Sequence, residues 1–218
     1  MITEQWIPLV PSVLIEAGEV EQFLVEAKDV AVWRSMQGHV QIWENRCPHR
    51  SVRLSLGQVH GESLVCAYHG WQFAAEDGHC QRIPAQPEQR APKSLCASSY
   101  AVMEKSGMIW FGGDSASIAE PLDTDVQQVY AGSVTISVAL PQVQDYLLEL
   151  GISELDMHNG LVWQNDAVDS TLRIYLTPTQ PHVVTVHAML LQTEQPTQRH
   201  PLLSQMRQNL ELEQFSHA

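Results

Sequence analysis

Two short stretches, Cys47-Pro48-His49-Arg50 and Cys66-Ala67-Tyr68-His69-Gly70-Trp71, decide how this chain is read. Each offers one thiolate and one imidazole, and sixteen residues separate His49 from Cys66. Two Cys and two His can surround a single Zn²⁺, or they can divide two and two over a [2Fe–2S] cluster. Cys₂His₂ zinc sites usually group Cys with Cys and His with His, and a helix commonly carries the His pair. Here each stretch mixes the two types among turn formers, Pro48 in the first and Gly70 in the second. Two such loops meeting tip to tip would each give one sulfur and one nitrogen to a diamond-shaped cluster. With thiolates on one iron and imidazoles on the other, the reduction potential rises above that of an all-Cys cluster.

The chain has 218 residues, 44% of them hydrophobic, enough for one large or two small domains with a core of their own. No apolar run is long enough to span a bilayer, and the N-terminus lacks the basic-then-apolar pattern of a secretory signal. These features predict a cytoplasmic protein with no membrane contact. Two of the four Cys are absorbed by the paired stretches, and Cys80 and Cys96 are expected as free buried thiols. The net charge of −13 argues against nucleic-acid binding, which needs a basic face. An acidic protein can dock a basic patch on a redox partner, although the same charge also serves solubility alone.

The first half reads as short strands with turn punctuation. Gln22–Val25, Val30–Arg34 and His39–Trp43 are β-rich, the last two pairing across Met36-Gln37-Gly38. Ser63–Val65 leads into the second Cys/His stretch, Trp71–Phe73 leaves it, and Ile83–Pro92 reads as a surface loop. An acidic link over residues 114–128 follows. Further strands are predicted at Val134–Ala139, Gly160–Gln164, Thr171–Thr177 and Val183–Leu191. Pro201 then opens an apolar-periodic helix running from Leu202 through Met206 and Leu210 to Phe215. The fold class is mainly β: an antiparallel β domain, then a small antiparallel sheet with a C-terminal helix, α+β.

Cys-x-His-Arg followed by Cys-x-x-His-Gly-Trp-x-Phe resembles the Rieske domain of the Rieske non-haem iron oxygenases, the aromatic-ring hydroxylases and O- or N-demethylases. The vanillate-demethylase-like branch is the nearest in flavour. Trp6-Ile7-Pro8-Leu9, Leu54-Ser55-Leu56-Gly57, the stretch from Gly78 to Ile83-Pro84, and Gly107-Met108-Ile109-Trp110-Phe111-Gly112 are similar to further landmarks of that domain. The resemblance covers residues 1–115 and implies a [2Fe–2S] cluster on Cys47, His49, Cys66 and His69. Arg50 lies beside it, and Trp71 packs over it to exclude water. Cytochrome bc-type Rieske proteins carry an extra Cys in each ligand loop, joined as a disulfide; neither loop here has one. The implied potential lies at the low end of the Rieske range, about −150 mV, suited to a flavin or ferredoxin-type reductase. Residues 116–218 resemble a truncated form of the family's helix-grip catalytic domain.

Full oxygenases of the family add a mononuclear iron on two His and one carboxylate. The nearest match is Ser153-Glu154-Leu155-Asp156-Met157-His158, and Trp163 stands where a second His is expected. His182 and His187 are five apart in strand-like sequence, which places them on opposite faces. A mononuclear Fe(II) therefore has no complete triad in the sequence, and the catalytic residues stay unassigned. Two functions of different class follow. One is an electron-transfer subunit that takes electrons from a reductase and passes them to an iron-bearing oxygenase chain. The other is a compact terminal oxygenase with its own iron, self-associating as a homo-oligomer.

Overall fold

The computed structural model describes residues 5–114, 127–155, 160–164, 171–191 and 200–216. In chain order the first half holds β1 (Ile7–Pro11), β2 (Val20–Val25), β3 (Lys28–Arg34), β4 (Val40–Glu44), β5 (Gln58–His60), β6 (Ser63–Val65), β7 (Gln72–Ala74), β8 (Cys80–Arg82), β9 (Ser99–Tyr100), β10 (Val102–Lys105) and β11 (Met108–Phe111). The second half holds β12 (Val129–Ile136), α1 (Leu140–Glu149), β13 (Ser153–Glu154), β14 (Val162–Gln164), β15 (Leu172–Gln180), β16 (Val183–Leu190) and α2 (Pro201–Ser216). All sheets are antiparallel, with strand orders β1-β11-β10, β2-β3-β4-β9, β5-β6-β7-β8 and β12-β16-β15-β14-β13. The architecture is the mainly-β class with a terminal helix that the sequence predicts.

The β3–β4 hairpin is the wall that positions the metal-site loops. Side chains alternate across a strand, and here both faces are buried. Val30 and Val32 of β3, with Ile42 of β4, join a large apolar core. Ala31 and Trp33, with Trp43, join a second core that contains Cys47 and Cys66. Trp33 and Trp43 meet edge to face at 4.9 Å, the arrangement that opposes ring edge to ring face. Burial of Trp33 and Trp43 is complete.

The large core runs through both halves of the chain. It joins Ile7, Leu9, Ile109 and Phe111 to Val134, Ile174, Val184 and Val186, and to Leu203, Met206 and Leu210 of α2. The α2 positions recur at three and four residues, the helical period. Opposite-facing residues of the second-half sheet meet the first half. Tyr175 and Met189 pack with Met108 and Trp110, and Thr177 Oγ1 donates to the Pro8 carbonyl at 2.5 Å.

Several expectations shift. The strand predicted at Val134–Ala139 starts earlier and ends sooner, because a bulge between Tyr130 and Gly132 carries β12 back to Val129. Helix α1 is absent from the sequence reading, yet its signals are present. Pro141 stands in the first turn, Gln142 Oε1 accepts the Ala139 N–H at 3.1 Å, and Gly151 follows the end at φ +73°. Cys80 is buried as expected, but Cys96 is half-exposed, with its Sγ near the Lys93 carbonyl at 3.5 Å. Most of the predicted link, residues 115–126, lies outside the described residues. Among the described residues no helix is long and apolar enough to cross a membrane.

Candidate metal centre

The two Cys/His loops are conformational copies. In the first, the Cys47 N–H donates to the Val52 carbonyl at 2.8 Å and the Ser51 N–H donates to the Cys47 carbonyl at 2.8 Å. In the second, the Cys66 N–H donates to the Trp71 carbonyl at 2.8 Å and the Gly70 N–H donates to the Cys66 carbonyl at 3.0 Å. Each loop thus closes from Cys(i) to residue i+5, and each turns through a positive φ at i+4: Ser51 at +55° and Gly70 at +68°. Glycine takes that conformation freely; Ser51 takes it at a steric cost. β4 delivers the first loop, and the β6–β7 hairpin carries the second.

The four donors separate by element. Cys47 and Cys66 are both buried, in the same apolar core. His49 is half-buried and His69 exposed, with ring centroids 4.7 Å apart. Among the described residues no three His, Cys, Asp or Glu side chains surround one point. The donors form instead a sulfur pair facing the core and a nitrogen pair facing solvent, the division that a two-iron diamond asks for.

Burial pushes the Cys47 thiol up to about 11, opposed by the backbone N–H groups of His49 and Arg50 aimed at its sulfur and reinforced by Cys66. A metal held here displaces that proton, and the same N–H groups are placed to stabilise the thiolate. Desolvation, then the neighbouring His69 and Arg50 charges, holds the His49 imidazole below its ordinary value and leaves it ready to ligate. Trp71 lies flat on His49, ring centroids 4.1 Å apart and planes 5° from parallel. Tyr68, itself exposed, tilts over His69 at 3.9 Å. One imidazole is therefore roofed and the other is open on the solvent side. The donor set fits a [2Fe–2S] cluster: two buried thiols with N–H partners on one side, two orientable imidazoles on the other.

Residues 5–101 match the family described as Rieske [2Fe-2S] domain. The chain carries a Rieske [2Fe–2S] domain. It is homologous to Rieske non-haem iron oxygenase components. One relative, "Oxidoreductase NdmD" of Pseudomonas putida, is 37% identical over 106 residues, 49% of this chain and 18% of its own length. Another, "3-chlorobenzoate-3,4-dioxygenase oxygenase subunit" of Comamonas testosteroni, is 31% identical over 159 residues, 72% of this chain and 32% of its own length. The matches thus span a third or less of these relatives. Two of the matched Comamonas testosteroni proteins are named as subunits of larger systems, that oxygenase subunit and the toluene-4-sulfonate monooxygenase system iron-sulfur subunit TsaM1. The fold is similar to the crystal structure of dicamba monooxygenase with non-heme iron and dicamba, at TM-score 0.73 and 18% identity, over 98% of this chain and 87% of that one. The Rieske domain and the sheet-and-helix half that follows it therefore share a fold with that enzyme.

The region expected to resemble a mononuclear iron site looks different. Glu154 accepts the Gly160 N–H at 2.8 Å, and the buried Trp163 donates from Nε1 to the Gly160 carbonyl at 2.7 Å. Both side chains brace one loop. Asp156 and His158 lie outside the described residues. His182 sits in the turn between β15 and β16, not on a strand. His187 is buried in β16, with Nδ1 2.6 Å from Ser133 Oγ and Nε2 3.1 Å from Thr177 Oγ1. Sequence reasoning missed this polar contact because its members are far apart in the chain.

Proposed function

We propose that this chain is a Rieske electron-transfer component of a non-haem iron oxygenase system, taking single electrons from a flavin or ferredoxin-type reductase and passing them to an iron-bearing oxygenase chain. In this reading residues 1–115 form the electron-transfer domain and residues 116–218 a reduced helix-grip domain that docks or assembles. Cys47, Cys66, His49 and His69 would hold the [2Fe–2S] cluster, with Arg50 and Trp71 flanking it. When bound, the cluster supplies one-electron chemistry at a potential raised by its imidazole ligands. The observation that carries the reading is the split donor set: sulfurs sealed in the core, one imidazole roofed by Trp71, the other open beside Tyr68. An open imidazole edge gives electrons an exit that a partner can reach. Glu154 and Trp163, engaged with Gly160, support a carrier over a complete oxygenase.

Iron analysis and single turnover test it together. A carrier binds two irons and two sulfides per chain, gives a low-average-g EPR signal when reduced, and makes no product when loaded with ferrous iron, oxygen and a panel of methoxy-aromatic and aromatic acids. A third functional iron, with product lost in His158→Ala, would establish a compact oxygenase instead. Colourless protein holding one zinc would overturn both.

A further inference from the structure

We infer that the cleft between the two halves of the chain is a binding site for a compact, neutral, largely apolar molecule, held through one oxygen acceptor by the Thr135–Thr185 hydroxyl pair. The inference goes beyond the electron-carrier reading and does not depend on it. The cleft encloses about 480 Å³, within the range of small-molecule sites. None of its described lining residues belongs to the core that holds Cys47 and Cys66.

Strand register builds the floor. Thr135, Thr185 and Thr177 stand side by side on β12, β16 and β15, and Ser133 and His187 are paired in the next row. Side chains alternate across a strand, so these residues share one face of the sheet. The residues between them, Val134, Val184 and Val186, join the core that contains Trp163 and, on α2, Leu203 and Met206. The cleft therefore lies on the side of the sheet turned away from α2 and Trp163. Its opposite wall comes from the first half: Leu9 and Val10 of β1, with Phe23 and Leu24 of β2. The Glu26 and Ala27 N–H groups donate to the Pro178 and Thr179 carbonyls, both at 2.7 Å. These bonds tie the turn after β2 to the end of β15, so both walls stand preformed. Leu14 and Thr135 are exposed at the rim, which leaves the cleft open to solvent.

The hydroxyl inventory decides which ligand fits. Thr177 donates to the Pro8 carbonyl, and His187 is engaged by Ser133 and Thr177. Tyr130 donates to Ser133 at 3.1 Å, and Thr179 donates to the Val183 carbonyl at 2.9 Å. Thr135 and Thr185 bond each other at 3.0 Å. Two hydroxyls carry two protons, and their mutual bond uses one. The other is left for an acceptor brought from outside. The described lining contains no Asp, Glu, Lys or Arg, and burial pushes the His187 imidazole down to about 4, which leaves it neutral. A charged ligand would lose hydration here and find no counter-charge. A plain hydrocarbon would displace water from the spare O–H and leave it without a partner. A ketone, ester or ether oxygen on an apolar body satisfies both walls.

The test titrates the full chain with three bicyclic probes of similar size: 1-tetralone, which carries a ketone oxygen; tetralin, which lacks it; and 1-naphthoate, which is charged. Calorimetry reads affinity, and backbone amide chemical shifts read position. 1-Tetralone should saturate a single site, about fivefold or more tightly than either analogue, and should shift amides of β2, β12 and β16. It should also raise the melting temperature, as any ligand of the folded state does. Either threonine can supply the spare proton, so both must be replaced. Thr135→Val with Thr185→Val keeps the branched shape and the strand preference. In that double variant 1-tetralone should weaken about five- to tenfold, to the level of tetralin, while tetralin binds as before. Val183→Trp, which fills the cleft, should exclude both. No saturable binding of 1-tetralone, equal affinity for the three probes, or unchanged 1-tetralone affinity in the double variant would overturn the inference. So would amide shifts confined to another surface, or self-association that Val183→Trp abolishes, which would assign the cleft to a second copy.

Discussion

Trp71 covers the His49 imidazole face to face, at 4.1 Å and 5° from parallel, while the exposed Tyr68 tilts over His69 at 3.9 Å. The two nitrogen donors therefore differ in hydration although their loops share one backbone pattern. Trp71 is also the residue whose carbonyl closes the second loop on the Cys66 N–H, so its side chain ties one loop to the other.

Replacing Trp71 with Leu keeps that backbone bond and removes the stack. The cluster should bleach faster under a chelator, and stability should fall by about 1–2 kcal/mol for the half-buried ring lost. Water admitted to the site should raise the potential, because it favours the more negative reduced state. Trp71→Phe should restore most of both properties. A Leu variant with unchanged bleaching rate would show that the stack has no protective role.

Exchange of a nitrogen donor for sulfur gives a second check. His69 lies at the open side, where a thiolate is accommodated without repacking. His69→Cys should retain a cluster and lower its potential, since added thiolate charge stabilises the oxidised state. Cys66→Ser, at a buried position, should lose the cluster outright. Voltammetry and sulfide analysis read the two outcomes; a His69→Cys protein of unchanged potential would place that imidazole outside the ligand set.

His187 makes stability depend on pH. Burial lowers its pKa from 6.5 to about 4. Its contribution is complete above 6.5 and drains as pH falls from 6.5 towards 4, because the unfolded chain takes up the proton first. Between pH 7.5 and 5 the loss is about 2 kcal/mol. Thr177 donates to Pro8, so His187 is left to donate from Nε2 to Thr177 and to accept from Ser133 at Nδ1. His187→Gln can copy both bonds without titrating. Urea unfolding across this window should show a flatter pH dependence in the variant than in the original; parallel curves would refute the assignment.

The turn between β2 and β3 offers a stabilising change. Glu26 and Ala27 hold φ of +47° and +61°, the conformation that two-residue hairpins assign to Asn-Gly. Their N–H groups donate to the carbonyls of Pro178 and Thr179, both at 2.7 Å, and so pin the hairpin to the second half. Glu26→Asn with Ala27→Gly keeps these donors and relieves the left-handed strain, for a gain of about 1–2 kcal/mol. Ala27→Pro removes a donor at a forbidden φ and should cost about 3 kcal/mol or more. Denaturant midpoints measure both, and a destabilised Asn-Gly variant would contradict the strain argument.

The candidate metal site was legible in the sequence as a pattern, two thiol–imidazole pairs at short spacing, and the fold brings Cys47, His49, Cys66 and His69 to two facing loops. The β3–β4 hairpin was legible for a similar local reason, the β-rich runs on either side of Gly38. Helix α1 has local signals at Pro141, Gln142 and Gly151, but the β-rich run that precedes it, whose limits a bulge shifts, masks them. The Glu26-Ala27 turn left none, since neither residue advertises a positive φ; bonds to Pro178 and Thr179 hold it there. Contacts across long stretches of chain belong to the tertiary structure alone. The Ser133–His187–Thr177 contact and the roof of Trp71 over His49 each depend on how strands return to one another. Local sequence sets what each residue can bond; only the folded path sets which partner arrives.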